Sequence, residues 1–361
     1  MKNNHFHIQF LYKVSQTILI LLIFITTAEA QYQLQGSIFN DTISSEILVK
    51  NKIGLNTTRT IKIYLPPGYS SSKKNYPTVY YLHSLFENPN HVISDHKTPE
   101  IIDKSIVKNT SREFIFVVAD FTSPTVGSLY ENSPTSGYWL DFISKELVPF
   151  IDQKYRTIPH KNSRAVMGHF MGGRGALKVA MEFPEMFSIV YALHPVATGS
   201  GYLPRVSLGI DWEKVHRATS YKDIGEDIRT KIFTSVCQAF LPNADRPPLY
   251  CNFLYEKDES GTLQLHPQNV RKEQNGFHLD EQLDKYADHL RSLKAIAFDW
   301  ARFDPTQDHV ISNRRFSKLL MDIGVDHEGV EFVGDPWNKY WGDEGRIATI
   351  VLPFLNTHLS F

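Results

Sequence analysis

Residues 163–177 read S-R-A-V-M-G-H-F-M-G-G-R-G-A-L. A short apolar run (Ala165, Val166, Met167) meets a turn rich in glycine, and small residues continue through Gly172, Gly173, Gly175 and Ala176. This order predicts a strand, a sharp turn and a helix, the arrangement in which Gly-x-Ser-x-Gly places a serine at the tip of a strained elbow. Glycine is needed where the two backbones approach too closely for side chains. The tip position here is Phe170, which has no nucleophilic atom. The stretch therefore constrains the fold strongly and points away from the usual chemistry.

The rest of the chain supplies the frame that such an elbow needs. Residues 58–65 alternate as a strand and end at Pro66-Pro67-Gly68. The run of residues 44–50 is also expected to be a strand, from its Ile47-Leu48-Val49 centre. Residues 78–83 and 114–121 are continuous apolar runs, as expected of strands buried on both faces. Trp139, Phe142, Ile143, Leu147, Val148 and Ile151 recur at helical spacing and predict a helix over 137–154. After the elbow, strands are expected at 187–193, 295–301 and 328–333, with helices at 314–324 and 346–358. Strands alternating with amphipathic helices make this an α/β chain with a mostly parallel central sheet covered on both faces. Residues 200–290 break the rhythm with Pro242, Pro247 and Pro248 and are expected to form a cap-type insertion within a single domain, 31–361.

Residues 1–30 stand apart. Lys2 and Lys13 precede an uninterrupted apolar run, and Ala28-Glu29-Ala30 fits a cleavage site, so a signal peptide cut before Gln31 is expected. The run is shorter than the ~20 residues of a membrane span. The mature chain is then expected outside the cytoplasm, secreted or periplasmic, with no membrane attachment. In that compartment Cys237 and Cys251 fit either a disulfide or two buried thiols. Asn40, Asn56 and Asn109 open glycosylation-type triplets. The formal net charge of -1, without a basic stripe, argues against nucleic acid. The 15 histidines form no metal-ligand motif, so neither a metal nor another cofactor is expected.

Residues 60–69, 79–83, 163–177 and 183–187, with the run from Ala295 onward, resemble in order and spacing the Putative esterase family of α/β-hydrolases. That family includes feruloyl and acetyl-xylan esterases, S-formylglutathione hydrolases and enterochelin esterases. The resemblance implies an α/β-hydrolase fold and a Ser–acid–His triad. Carried onto this sequence, the serine falls on Phe170, the acid on Asp304 (with Asp308 as substitute) and the histidine on Pro336, in Gly334-Asp335-Pro336-Trp337. The oxyanion amides fall on Leu85 and Met171. Two of the three triad side chains are thus incapable of their roles, and the acid is left with nothing to orient. On this reading, the most informative change is the double reversion Phe170→Ser with Pro336→His.

Other residues near the expected crevice have a bland and a sharper reading. His194 and His309 lie near strand ends and are candidate ligand-binding groups or simply packed histidines. His169 is expected to point away, and His327 to pack. Tyr130, Asn132, Tyr138 and Trp139 would either line a carbohydrate groove or pack a loop. Phe170 would either plug the acyl site or present a stacking face to a sugar. Three functions follow as expectations. The favoured one is an esterase-like protein without serine-hydrolase activity that binds an acylated polysaccharide or glycoside. The alternatives are an ester hydrolase working through Asp304 or His309, and a non-catalytic subunit with a partner protein.

Overall fold

The computed structural model describes Gln16 and residues 35–200 and 209–361. Apart from Gln16, the expected signal peptide and its cleavage site lie outside the described residues. Eight strands form one sheet: β1 (Ser37–Ser44), β2 (Thr58–Leu65), β3 (Thr78–Leu82), β4 (Ile115–Ala119), β5 (Arg164–His169), β6 (Ile189–Leu193), β7 (Ala295–Ala301) and β8 (Glu328–Phe332). Their spatial order is β1-β2-β4-β3-β5-β6-β7-β8. β2 pairs antiparallel with both β1 and β4. All other neighbours are parallel. This is the α/β-hydrolase sheet expected from the sequence.

The central strands β3 to β6 are buried along their whole length, which is why they read as unbroken apolar runs rather than alternating ones. Alternate residues still serve different layers. Tyr80, Leu82, Val117, Val166 and Phe298 join one core. Val79, Tyr81, Phe116, Ala165 and Met167 join the other. Nine labelled helices accompany the sheet: α1 (Thr98–Val107), α2 (Val148–Lys154), α3 (Met171–Glu182), α4 (Trp212–Arg217), α5 (Ile228–Phe240), α6 (Pro267–Phe277), α7 (Leu283–Arg291), α8 (Gln307–Asp322) and α9 (Leu352–His358). α3, α7 and α8 contribute to the first core, and α1 and α9 to the second. The helix expected over 137–154 is continuous, as Trp139–Asp141, Phe142–Leu147 and α2, with a wider winding in its middle part.

Two expectations are corrected. Residues 44–50 are not a strand: they contain a short 3-10 turn, Leu48–Lys50. The Glu146 carboxylate accepts the amides of Glu46 and Ile47 at 2.9 and 3.1 Å and also binds the Ser45 hydroxyl. Side-chain acceptors thus take the hydrogen bonds a ladder would need. The real edge strand, β1, precedes it and is mostly exposed, so it left no apolar signal. α8 begins at Gln307, seven residues before the expected 314.

Helices α4 to α7 fall between β6 and β7. α4, α5 and the segment after α5 share a small core of Trp212, Val215, Cys237, Leu241, Cys251 and Phe253, whereas α7 packs into the first core. Arg174 of α3 fastens this insertion to the sheet. Its fully buried guanidinium donates to the carbonyls of Phe277 (2.9 Å), Gly276 (3.1 Å) and Leu129 (2.9 Å), and lies 3.6 Å from Glu131.

The first turn of α3 lies hard against the end of β3. A Cβ on Gly172 would sit 1.8 Å from the Leu82 carbonyl oxygen, and one on Gly168 would sit 2.3 Å from the Gly172 oxygen. Both obstacles are backbone and cannot rotate away. Gly172→Ala should therefore destabilise the fold by about 3 kcal/mol, the upper end of overpacking costs, measured by urea unfolding. A loss below about 0.5 kcal/mol, the range of ordinary surface substitutions, would contradict this packing.

Candidate functional site

Phe170 occupies the turn between β5 and α3 with φ 50° and ψ -113°. A bulky residue at positive φ costs on the order of 1–3 kcal/mol. The turn is held from both sides: the Phe170 amide donates to Leu193 O at 3.0 Å, and the Arg174 amide donates to Phe170 O at 3.0 Å. The elbow conformation is thus kept although no nucleophile is there to use it.

The Phe170 ring is wrapped in other rings. It stacks on Trp337 at 4.4 Å and 27°. It meets His169 edge-on at 4.4 Å, lies 4.9 Å from His194 and 6.3 Å from His309. Phe170 is only 8% exposed, whereas Trp337 is 63% exposed. The tip of the elbow is therefore roofed by an indole whose outer face is open to solvent. The roof is set by the loop after β8, where Asp335 accepts the amides of Trp337 and Asn338 at 2.8 and 3.0 Å. In the same loop, Pro336 O accepts His169 Nε2–H at 3.0 Å. Burial, opposed by Glu87, pushes the His169 imidazole down to about 4, so it is neutral and structural.

Asp304 is the hub of a second group, and here the sequence reading is corrected. The acid does have partners. Its Oδ2 accepts from His194 Nε2 at 2.7 Å and from His309 Nδ1 at 2.8 Å. Its Oδ1 accepts the Thr306 amide at 2.7 Å. Burial alone would raise this carboxyl, but the bonds from His194 and His309 outweigh it and hold it well below the usual carboxylate range. His194 is fully buried, and its Nδ1 accepts the Ala301 amide at 3.0 Å. Nδ1 must therefore carry the lone pair and Nε2 the proton. His194 braces Asp304 and has no free ring atom for a ligand. His309 sits in the first turn of α8, with a 28% exposed side chain. The early start of that helix brings it to the acid, which the polar sequence around Gln307 did not reveal.

His194, Asp304 and His309 bring three donor atoms within 4.8 Å of one another. The bonding pattern does not suit a metal ion, because the only lone pair of neutral His194 is already engaged by a backbone N–H.

The amides of Leu85 and Met171 have no protein acceptor among the described residues. The first turn of α3 brings them to the same end of the sheet: a Cβ on Gly172 would lie 3.0 Å from His83 O.

The expected carbohydrate-lining group is divided. Tyr130 is buried, and its hydroxyl donates to His83 O beneath the elbow helix. Trp139 is buried, with Nε1 donating to Ser136 O at 3.0 Å and Arg59 over its ring. These two are packing residues, because each has a backbone acceptor that satisfies its polar end. Asn132 and Tyr138 pair with each other across a two-residue ribbon, and Asn132 exchanges hydrogen bonds with Asp141 at 2.9 and 3.1 Å. Cys237 and Cys251 are both buried in the insertion core and are not joined by a disulfide. His327 packs on Phe298, as expected. The residue most undervalued by the sequence is Trp337, whose only signal was its place two residues after Asp335.

Against known proteins, the family model described as "Putative esterase" matches residues 53–249, more than half of the chain. The endo-1,4-beta-xylanase/feruloyl esterase of Xylanibacter ruminicola is 29% identical over 155 residues, which are 40% of this chain and 20% of that protein. The chain thus spans about a fifth of that relative's length. A solved ferulic acid esterase superposes with a TM-score of 0.60 at 20% identity, covering 90% of this chain and 99% of its own. The S-formylglutathione hydrolase of Agrobacterium tumefaciens gives 0.56 at 15% identity, covering 91% and 97%. At these identities the two structures establish the fold.

Asp304→Asn should cost roughly 2–3 kcal/mol at pH 7, the scale of a hydrogen bond to a charged group. The folded carboxyl lies below its unfolded value of about 3.9. Its stabilisation is therefore complete above about pH 4 and is lost as pH falls through the folded value. Urea unfolding of wild type and variant should converge below pH 4. A constant difference from pH 7 to pH 2.5 would contradict the double hydrogen bond.

Proposed function

Because the chain belongs to the Putative esterase family, we propose that it is a member that binds an acylated carbohydrate without turning it over through a serine. The observation that carries this reading is Phe170: the elbow tip, where the family's nucleophile would stand, is an apolar ring stacked under Trp337. A phenylalanine in that position cannot form an acyl-enzyme. The exposed indole face of Trp337 suits a sugar ring or a planar acyl group, since both stack on aromatic faces. Phe303 and Phe86 add further exposed aromatic surface on loops following β7 and β3.

The similarity to an endo-1,4-beta-xylanase/feruloyl esterase and to a ferulic acid esterase supports this ligand class. Placement outside the cytoplasm, where such polymers are found, rests on the sequence of residues 1–30. No helix among the described residues is long and apolar enough to cross a membrane.

The purified chain should hydrolyse p-nitrophenyl acetate and methyl ferulate no faster than a heat-treated control. It should bind a feruloylated xylo-oligosaccharide with a change in tryptophan fluorescence. Trp337→Ala should weaken that binding roughly tenfold, the scale of one aromatic contact. Turnover well above control, or binding indifferent to Trp337, would overturn the reading.

A further inference from the structure

The expected loss of the triad covered two side chains, Phe170 and Pro336. We infer that only the nucleophile is missing: the histidine has been re-seated from the loop after β8 to the first turn of α8, and Asp304–His309 is an intact acid–base dyad. This deepens the proposed function and rests on it only for the absence of a nucleophile in the wild-type chain.

Four observations carry it. His309 Nδ1 donates to Asp304 Oδ2 at 2.8 Å. That bond fixes the Nδ1–H tautomer and leaves the lone pair on Nε2. Nε2 has no protein partner among the described residues. The His309 ring lies edge-on to the Phe170 ring, at 6.3 Å between centroids, so the imidazole borders the elbow side chain. Of the competing histidines, His194 is excluded by its own bonds and His169 by its burial. His194 uses both ring nitrogens, on the Ala301 amide and on Asp304. His169 donates Nε2–H to Pro336 O and is walled in. Position 336 offers a carbonyl to His169 and carries no ring that can take a proton.

With a serine at position 170, the steps balance with what the site holds. Oγ attacks the ester carbonyl while His309 Nε2 takes its proton. The carbonyl oxygen becomes an anion received by the Leu85 and Met171 amides. The alcohol leaves with the proton returned by Nε2. Water then attacks the acyl-serine, giving its proton to Nε2, which returns it to Oγ as the carboxylic acid departs.

The test uses the full chain and p-nitrophenyl acetate. Phe170→Ser alone should raise turnover by at least about 100-fold over wild type, and adding His309→Gln should remove about 100-fold, the contribution of a positioned acid–base group. Activity that appears only when Pro336→His is added, or a folded Phe170→Ser that stays inert, overturns the inference. A second measurement stands if that variant does not fold. In the wild-type protein, long-range 1H–15N spectra should show His309 protonated at Nδ1 and bare at Nε2, with that preference lost in Asp304→Asn. The opposite tautomer would overturn it as well. Turnover by the wild-type chain, or failure to bind carbohydrate, would instead strike the functional reading and leave these readouts standing.

Discussion

The structure depends on the close approach of two backbones at the end of β5. Gly168 and Gly172 let α3 start directly against the Leu82 carbonyl, and that contact forces residue 170 into a positive-φ turn. Once the helix is there, the turn does not relax when its residue changes. The strain is carried by packing on α3 and by the bond from the Phe170 amide to Leu193. This explains how an elbow persists around a phenylalanine. The geometry belongs to the glycines and the sheet, not to the catalytic side chain.

That rigidity shaped what could change around it. An apolar ring at the tip needs an apolar environment, and Trp337 supplies one by stacking over it. The loop carrying Trp337 is tied back to the site through Pro336 O and His169, so the segment after β8 holds a roof in place. Asp304, fixed by the end of β7, kept its charge by accepting from His194 and His309. A buried carboxylate without donors would be expensive. Its retention therefore follows from its partners, and one of those partners has a ring nitrogen left for other work.

Most of the fold could be read from the chain. Strands such as 78–82 and 115–119 announce themselves because burial on both faces leaves no charged residue and almost no polar one. The elbow was readable because its glycines have no other economical explanation. β1 was not readable, since an exposed edge strand need not be apolar, and the apolar triplet Ile47-Leu48-Val49 beside it was a false signal. At the site, the assignment of Phe170, Asp304 and Pro336 rests on position along the chain alone. The roles of His194 and His309 depend on which ring nitrogen meets which acceptor, and sequence spacing carries no such information. Tyr130 and Trp139 misled for a related reason: aromatic residues that stack on sugars also fill cores, and only their hydrogen-bond partners separate the two uses.

The central claim is that the elbow survives without a nucleophile. It is tested most directly by exposing the purified chain to a fluorophosphonate probe and recording its intact mass. A serine activated by a histidine would be phosphonylated within minutes. The account predicts an unchanged mass, and the addition of a single phosphonyl group, stoichiometric and prevented by heat treatment, would contradict it.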